Sequence, residues 1–233
     1  MKNMRLKFIK RGNMIYISHL DLMRFFQRTF RRAGIMLRHT EGFNPQPKMS
    51  FATALALGTS SDGEYMDVEL DSDISSEALL EKLNENLSED IKIVKVAERE
   101  GKESIMSLIE WGQYVVKVVP NSEYILEEVQ KKLDSFLKLE EVIEHKEKKK
   151  KNKVTTREVN IRPNIKRVDL MTVENGEIMM NMFLKTGSNG NLKPEVVVAK
   201  LVEYADMDLD LESVKVHRVD LFVERDGKIV TPI

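Results

Sequence analysis

A cycle of alternating and helical hydrophobic periods runs through this chain twice, and few architectures accommodate that order. In the first pass Met4 to Lys10 alternates as a strand does, Ser18 opens an amphipathic helix, and Ile35 to His39, Phe51 to Leu57 and Glu64 to Leu70 are strand candidates. A second helix carries Leu79, Leu80, Leu83 and Leu87, and Ile91 to Val96 is a closing strand. In the second pass Tyr114 to Val119 is a strand, and Asn121 or Ser122 caps a helix with Val129, Leu133 and Phe136 inward. Strands follow near Val142 to His145, Thr155 to Ile161 and Glu177 to Leu184; Pro194 starts the last helix and Val214 to Val223 ends the unit. The order β-α-β-β-α-β, met twice, predicts an α+β protein of two tandem ferredoxin-like halves with an antiparallel sheet in each. The first half, 1–100, carries a basic helix and a GFNPQP loop, and the second, 109–233, a Lys-rich hairpin. First-helix starts are offset by 104 residues and second-helix starts by 119, so the second pass holds an insertion, and Lys146 to Lys153 sits where it must lie.

Charge is distributed as unevenly as the periods are regular. The chain has a net charge of -1, but residues 1–50 carry 11 Lys or Arg against Asp21 and Glu41, a net +9. Residues 51–140 sum to -11, 141–170 to +5 and 171–233 to -4. A basic segment in a neutral chain points to a polyanion-binding face on one part of the molecule.

Much of that charge lies on the first helix and the loop after it. On a helical wheel Leu22, Met23, Phe26, Phe30 and Ala33 share one sector, while Arg24, Arg28, Arg31 and Arg32 lie opposite. Four guanidiniums continued by Arg38 and Lys48 match successive phosphates, since each planar fork binds phosphate oxygens in pairs. The competing reading is a solvated face that pairs with the acidic segment 62–73. The loop Gly42, Phe43, Asn44, Pro45, Gln46, Pro47 is stiffened by two fixed φ angles and is the candidate partner-binding element, with Phe43 as a stacking surface.

Weaker signals lie further along. Lysines in HKEKKKKNK (145–153) serve either salt-sensitive attraction or the solubility of a long hairpin. Arg162, held extended before Pro163, is either aimed at a ligand or paired with an acid as a structural link. GSNGNLKPE (187–195) reads as a tight strand-to-helix connection. His19 and His39, with Tyr16, Lys48 and Ser50 nearby, are candidates for metal-free acid–base chemistry. His19, His39, His145 and His217 show no metal-ligand spacing, so no metal site is expected. With no cysteine the chain offers neither disulfides nor cluster ligands, and no apolar run approaches the roughly 20 residues of a membrane span, so a cytoplasmic protein is expected.

The run from Tyr16 to Leu70, with NIRPNI and GNLKPEVV beyond it, closely resembles the radical-SAM-linked family of uncharacterised proteins. The resemblance implies a domain found alone or fused behind a cobalamin-binding radical SAM enzyme, in a setting of RNA or ribosome biology. It implies that S-adenosylmethionine, an iron–sulfur cluster and cobalamin enter only through a partner, because this chain has no cysteine. At fold level the histidine-bearing helix and basic face look like those of paired ferredoxin-like RNA endonucleases of the CRISPR repeat-processing type. The expected function is a non-catalytic RNA-binding accessory module that works with a radical SAM enzyme on rRNA or tRNA. The alternatives are a metal-independent RNA-processing or modifying enzyme and a protein–protein adapter for a radical SAM partner.

Overall fold

The computed structural model describes residues 2–99, 101, 103–150 and 153–233. The fold is mixed α+β, with few helices and mostly antiparallel strands, and the chain divides into two compact units. The first unit comprises residues 1–112, 187–189 and 217–233, and the second 113–186 and 190–216.

In the first unit β1 (Lys2–Lys10) runs antiparallel to both β3 (Ser60–Leu70) and β4 (Ile91–Glu98), and the short β2 (Met49–Phe51) pairs with the other side of β3. Helices α1 (His19–Arg32) and α2 (Ser76–Asn84) bury Leu22, Phe26, Phe30, Leu79 and Leu83 against Met4, Leu6 and Phe8. The even-numbered face of β1 thus carries the apolar core, as a period of two requires. Its odd-numbered face is covered too: Arg5, opposite Asp67 of β3, is 3% exposed, and so is Asp67.

Local sequence signals account for the helix ends. Ser18 caps α1, its hydroxyl accepting the Asp21 N–H at 3.1 Å and donating to the Asp21 carboxylate at 2.7 Å. Ser75 caps α2, its hydroxyl accepting the Ala78 N–H at 3.2 Å. The expected strand Ile35 to His39 is reduced to two isolated bridges, Leu37 to Leu70 and His39 to Pro47. Pro45 and Pro47 have no N–H to give, so the ladder cannot continue. The expected strand Phe51 to Leu57 survives only as β2, because the start of β3 is taken by β10 (Leu209–Arg225), which pairs His217 with Ser60 and Arg218 with Ser61. That long-range pairing also puts residues 217–233 in the first unit although the sequence pattern assigns them to the second half. The short helix α3 (Ile105–Leu108) follows β4, and a last strand, β11 (Lys228–Val230), pairs with the end of β10.

The second unit contains most of β5 (Ile109–Pro120), then α4 (Leu126–Leu137), β8 (Ile165–Glu174), β9 (Glu177–Lys185), α5 (Pro194–Ala205) and the first half of β10, with strand order β10-β5-β9-β8. Val116, Val118, Val129, Leu133, Met180, Met182, Val197 and Leu201 form its core. Strand β8 is missing from the sequence reading because register shifts near Ile165–Arg167 and Leu170–Thr172 break its alternation. Helix α4 starts after Ile125, with no side-chain cap, so neither Asn121 nor Ser122 caps it; Asn121 instead donates to the Asp208 carboxylate at 2.8 Å. In the connection to α5 the Leu192 N–H donates to the Lys185 carbonyl at 2.9 Å. The insertion forms an antiparallel hairpin of β6 (Ile143–Lys150) and β7 (Lys153–Asn160). Within the Lys-rich run 145–153, residues 151–152 lie outside the described residues.

Candidate nucleic-acid interface

Helix α1 buries Leu22, Phe26, Phe30 and, in part, Met23, and turns Arg24, Arg28, Arg31 and Arg32 outward, all four exposed. Exposure alone does not make them equivalent. Arg24 pairs with Asp21 one turn away at 3.3 Å. Arg32 donates to the Asn86 carbonyl at 2.9 Å, close behind the C-terminal end of α2. Arg38 and Lys48 share Glu69, at 3.6 and 3.0 Å. Arg28 and Arg31 form no hydrogen bond or ion pair with any described residue. The acidic segment thus engages Arg38 and Lys48 through Glu69, while on the helix Asp21 takes Arg24, and Arg28 and Arg31 keep no hydrogen bond or ion pair among the described residues.

Those two line a groove of about 610 Å³, together with Phe30, Ile35, Leu37, His39, Pro47 and one carboxylate, Asp71. The chain after α1 builds the far side of this groove. Gly34, at φ +68°, takes the left-handed conformation that ends the helix. Residues 38–40 then run beside 46–48: the Lys48 N–H donates to the Arg38 carbonyl at 2.7 Å, the Thr40 N–H to the Gln46 carbonyl at 2.9 Å, and the Gln46 N–H to the Thr40 hydroxyl at 3.0 Å. These bonds tie the base of the GFNPQP loop into an arm. Beyond the base, Gly42 to Gln46 are exposed and Phe43 is fully so. An uncovered phenyl ring on a tethered arm is a surface on which a base can stack.

The remaining candidates are placed elsewhere. His39 is exposed and lines the groove, whereas His19 is half-buried with its ring 5.3 Å from that of Phe51. His19 does not line the groove that His39 lines. Arg162, in the second unit, donates to the Ile165 carbonyl at 2.8 Å and to the Leu137 carbonyl, so its guanidinium ties backbone together. Among the described residues no group of three His, Asp or Glu is positioned to hold a metal ion, and no helix is long and apolar enough to cross a membrane.

Sequence reasoning missed a second set of charged residues in the first unit. Asp67 accepts from Arg5 Nε at 2.7 Å and Nη2 at 3.0 Å, from the Ile105 N–H at 2.9 Å and from Arg99 at 3.5 Å. Arg218 pairs with Glu64 at 2.9 Å, Lys7 with Asp220 at 2.6 Å, and Tyr65 donates to Asp220 at 2.7 Å. Burial and the Asp220 charge push the Tyr65 hydroxyl far above its ordinary range, so it stays a donor. Burial pushes the Lys10 ammonium below its usual value. The one available signal was the match of basic residues at odd positions of β1 with acidic ones at odd positions of β3. It becomes informative only once the two strands are known to pair.

Comparison with solved structures gives a likeness of fold. A chain in the crystal structure of a Cbf5-Nop10-Gar1 complex superimposes with a TM-score of 0.51 at 8% identity, over 94% of this chain and 48% of that one. A chain in the archaeal box H/ACA sRNP Nop10-Cbf5 complex gives 0.48 at 8% identity, over 92% and 46%. The protein thus spans about half the length of the solved chains it resembles. No curated protein matches the sequence. The family described as an uncharacterised protein conserved in bacteria, DUF2344, matches residues 3–194, and the chain belongs to that family.

Proposed function

We propose that this protein is a non-catalytic RNA-binding accessory module whose contact surface joins the outer face of α1 to the arm at residues 38–48. The observation that carries this is the freedom of Arg28 and Arg31 beside a groove, while Arg24, Arg32, Arg38 and Lys48 are engaged within the protein. Guanidiniums placed for structure find carboxylates or carbonyls; two left open on one side of a groove suit phosphate oxygens. The bare Phe43 ring favours a nucleic acid over an acidic peptide or an isolated phosphate.

The resemblance of residues 16–70 to radical-SAM-linked proteins supports RNA as the nucleic acid, rRNA or tRNA. It also supports a radical SAM enzyme as the partner that brings S-adenosylmethionine, an iron–sulfur cluster and cobalamin. A cysteine-free sequence suits the cytoplasm in which such a partner would work. We read each unit as ferredoxin-like. The support is strand order, β4-β1-β3-β2 in the first unit and β10-β5-β9-β8 in the second, with a helix after the first and third strands of each set.

Binding of cellular RNA across a salt series tests the reading. Arg28→Glu with Arg31→Glu should weaken binding and flatten the salt dependence by about 1.4 in slope, or about 0.7 for each single-strand phosphate no longer neutralised. Affinity indifferent to salt, or unchanged in the double variant, overturns it. Discrete RNA products formed in chelator and abolished by His39→Ala would replace it with a metal-independent processing enzyme.

A further inference from the structure

The arm has two sides, and the groove with Arg28 and Arg31 occupies one. On the other lies a second cleft of about 380 Å³, also in the first unit, lined by Thr40, Lys48, Ser50, Arg99 and Ser104 and by the carboxylates Asp67 and Glu69. Pro47 lines both clefts, and the bridged pair His39 and Pro47 marks the wall between them. Successive residues of the arm divide as extended backbone requires, with His39 on the first cleft and Thr40 on the second.

Two cations, Lys48 and Arg99, and two carboxylates, Asp67 and Glu69, line the second cleft, and the same carboxylates also serve Arg5 and Arg38, which lie outside its lining. Its two carboxylates are shared among four cations: Asp67 holds Arg5 and Arg99, and Glu69 holds Arg38 and Lys48. Arg99 is attached at only one point, the 3.5 Å contact of Nη1 with Asp67, and its Nε is buried without an acceptor among the described residues. A buried donor without an acceptor is rare in folded proteins, so the Arg99 side chain is weakly held where it lies and gains by turning toward an oxygen in the cleft. Hydroxyls of Thr40, Ser50 and Ser104 line the same space.

We propose that this cleft is a second phosphate site, with Arg99 as its donor, and that the ligand is a single-stranded stretch of RNA straddling the arm. The inference rests on the RNA reading above and narrows it. Both volumes lie in the range of about 300–1,000 Å³ that accommodates nucleotide-sized groups. A flexible single strand can place phosphates in both clefts and a base on Phe43 between them, the pairing of basic track and aromatic platform used for single strands. An A-form RNA duplex keeps its bases stacked and its major groove too deep and narrow for side chains, so it has no free base to offer the Phe43 ring.

Fluorescence anisotropy with oligouridylates of about two to eight nucleotides, an RNA duplex and polyglutamate decides the point. Affinity should rise about tenfold or more once the strand is long enough to span the arm, and Arg99→Gln should remove that rise while leaving the shortest oligomers unaffected. The duplex and polyglutamate should bind at least about tenfold more weakly than the longest single strand. If no RNA binds, the RNA reading itself fails. If RNA binds through Arg28 and Arg31 but shows no length-dependent rise, ignores Arg99→Gln or binds equally as duplex, the RNA reading stands and the second site falls. Polyglutamate bound as tightly as RNA overturns both in favour of an acidic protein partner. Should Arg99→Gln fail to fold, ethylation interference on the wild-type complex replaces it. Interfering phosphates on both sides of the nucleotide that crosslinks to the arm support the site, and interference on one side only overturns it.

Discussion

Replacing Asp67 by alanine probes both the stability of the first unit and the support of its second cleft. The carboxylate accepts two hydrogen bonds from Arg5, one from the Ile105 N–H and the long contact from Arg99. Arg5 and Asp67 are each 3% exposed, so truncation strands a guanidinium in the protein interior. Breaking a buried pair from one side costs about 3–5 kcal/mol, a large share of a total stability of about 5–15 kcal/mol. At a urea dependence of about 2 kcal/mol per molar, a loss of about 4 kcal/mol lowers the midpoint by about 2 M. The single tryptophan, Trp111, is buried in the first unit, so its fluorescence reports on that unit. Removing both partners, Arg5→Met with Asp67→Leu, leaves no unpaired charge from the pair. It should recover most of the loss, less about 1 kcal/mol each for the Ile105 N–H and Arg99 left without their acceptor. A cost below about 1 kcal/mol for Asp67→Ala would refute this account of the pair, as would a double variant no more stable than the single one.

Three further outcomes are expected. Gly63→Ala would place a Cβ 2.5 Å from the Asp220 Cα, a backbone atom that cannot swing aside; the loss should be about 1–3 kcal/mol or more by urea denaturation, and a variant as stable as wild type would mean that β3 and β10 separate freely. Ser18→Ala removes the α1 cap and should cost about 1 kcal/mol. Apart from that cap, the Ser18 hydroxyl, and then Arg24, hold the Asp21 carboxyl below its ordinary 3.8, and the stabilisation from this carboxylate contact is present above that pH and fades as pH falls through the depressed value. In Ser18→Ala an NMR titration of Asp21 should move back up, and an unmoved titration would rule out the hydroxyl as its cause. Phe43→Ala should change stability by less than about 0.5 kcal/mol, since the ring is fully exposed. The same change should weaken RNA binding by about 1–3 kcal/mol, and undiminished anisotropy binding would remove Phe43 from the interface.

Local signals were read correctly where local physics governs. Ser18 and Ser75 cap their helices because a hydroxyl three residues ahead of a free N–H satisfies it whatever lies beyond. Leu22, Phe26 and Phe30 turn inward because a 3.6-residue period puts them on one face. The α+β class and the basic face of α1 followed from the same periodicities. Residues 35–39 and 52–57 look like strands by themselves but find no continuous partner: prolines interrupt one ladder, and β10 from more than 150 residues away occupies the edge the other would need.

The sequence by itself determined which side chains the first helix presents to solvent, because that depends only on the spacing of residues along one helix. Only the tertiary structure decided which of those side chains are free. Arg24, Arg28, Arg31 and Arg32 are indistinguishable by position on the wheel, and what separates them is Asp21, the Asn86 carbonyl and a groove completed by His39 and Pro47. Arg99 carried no signal at all, since its role depends on Asp67 and Arg5, brought beside it by the pairing of β1 with β3 and β4. A charge is attached to a residue, whereas its availability is a property of its neighbours, and neighbours distant in sequence are assigned by the fold.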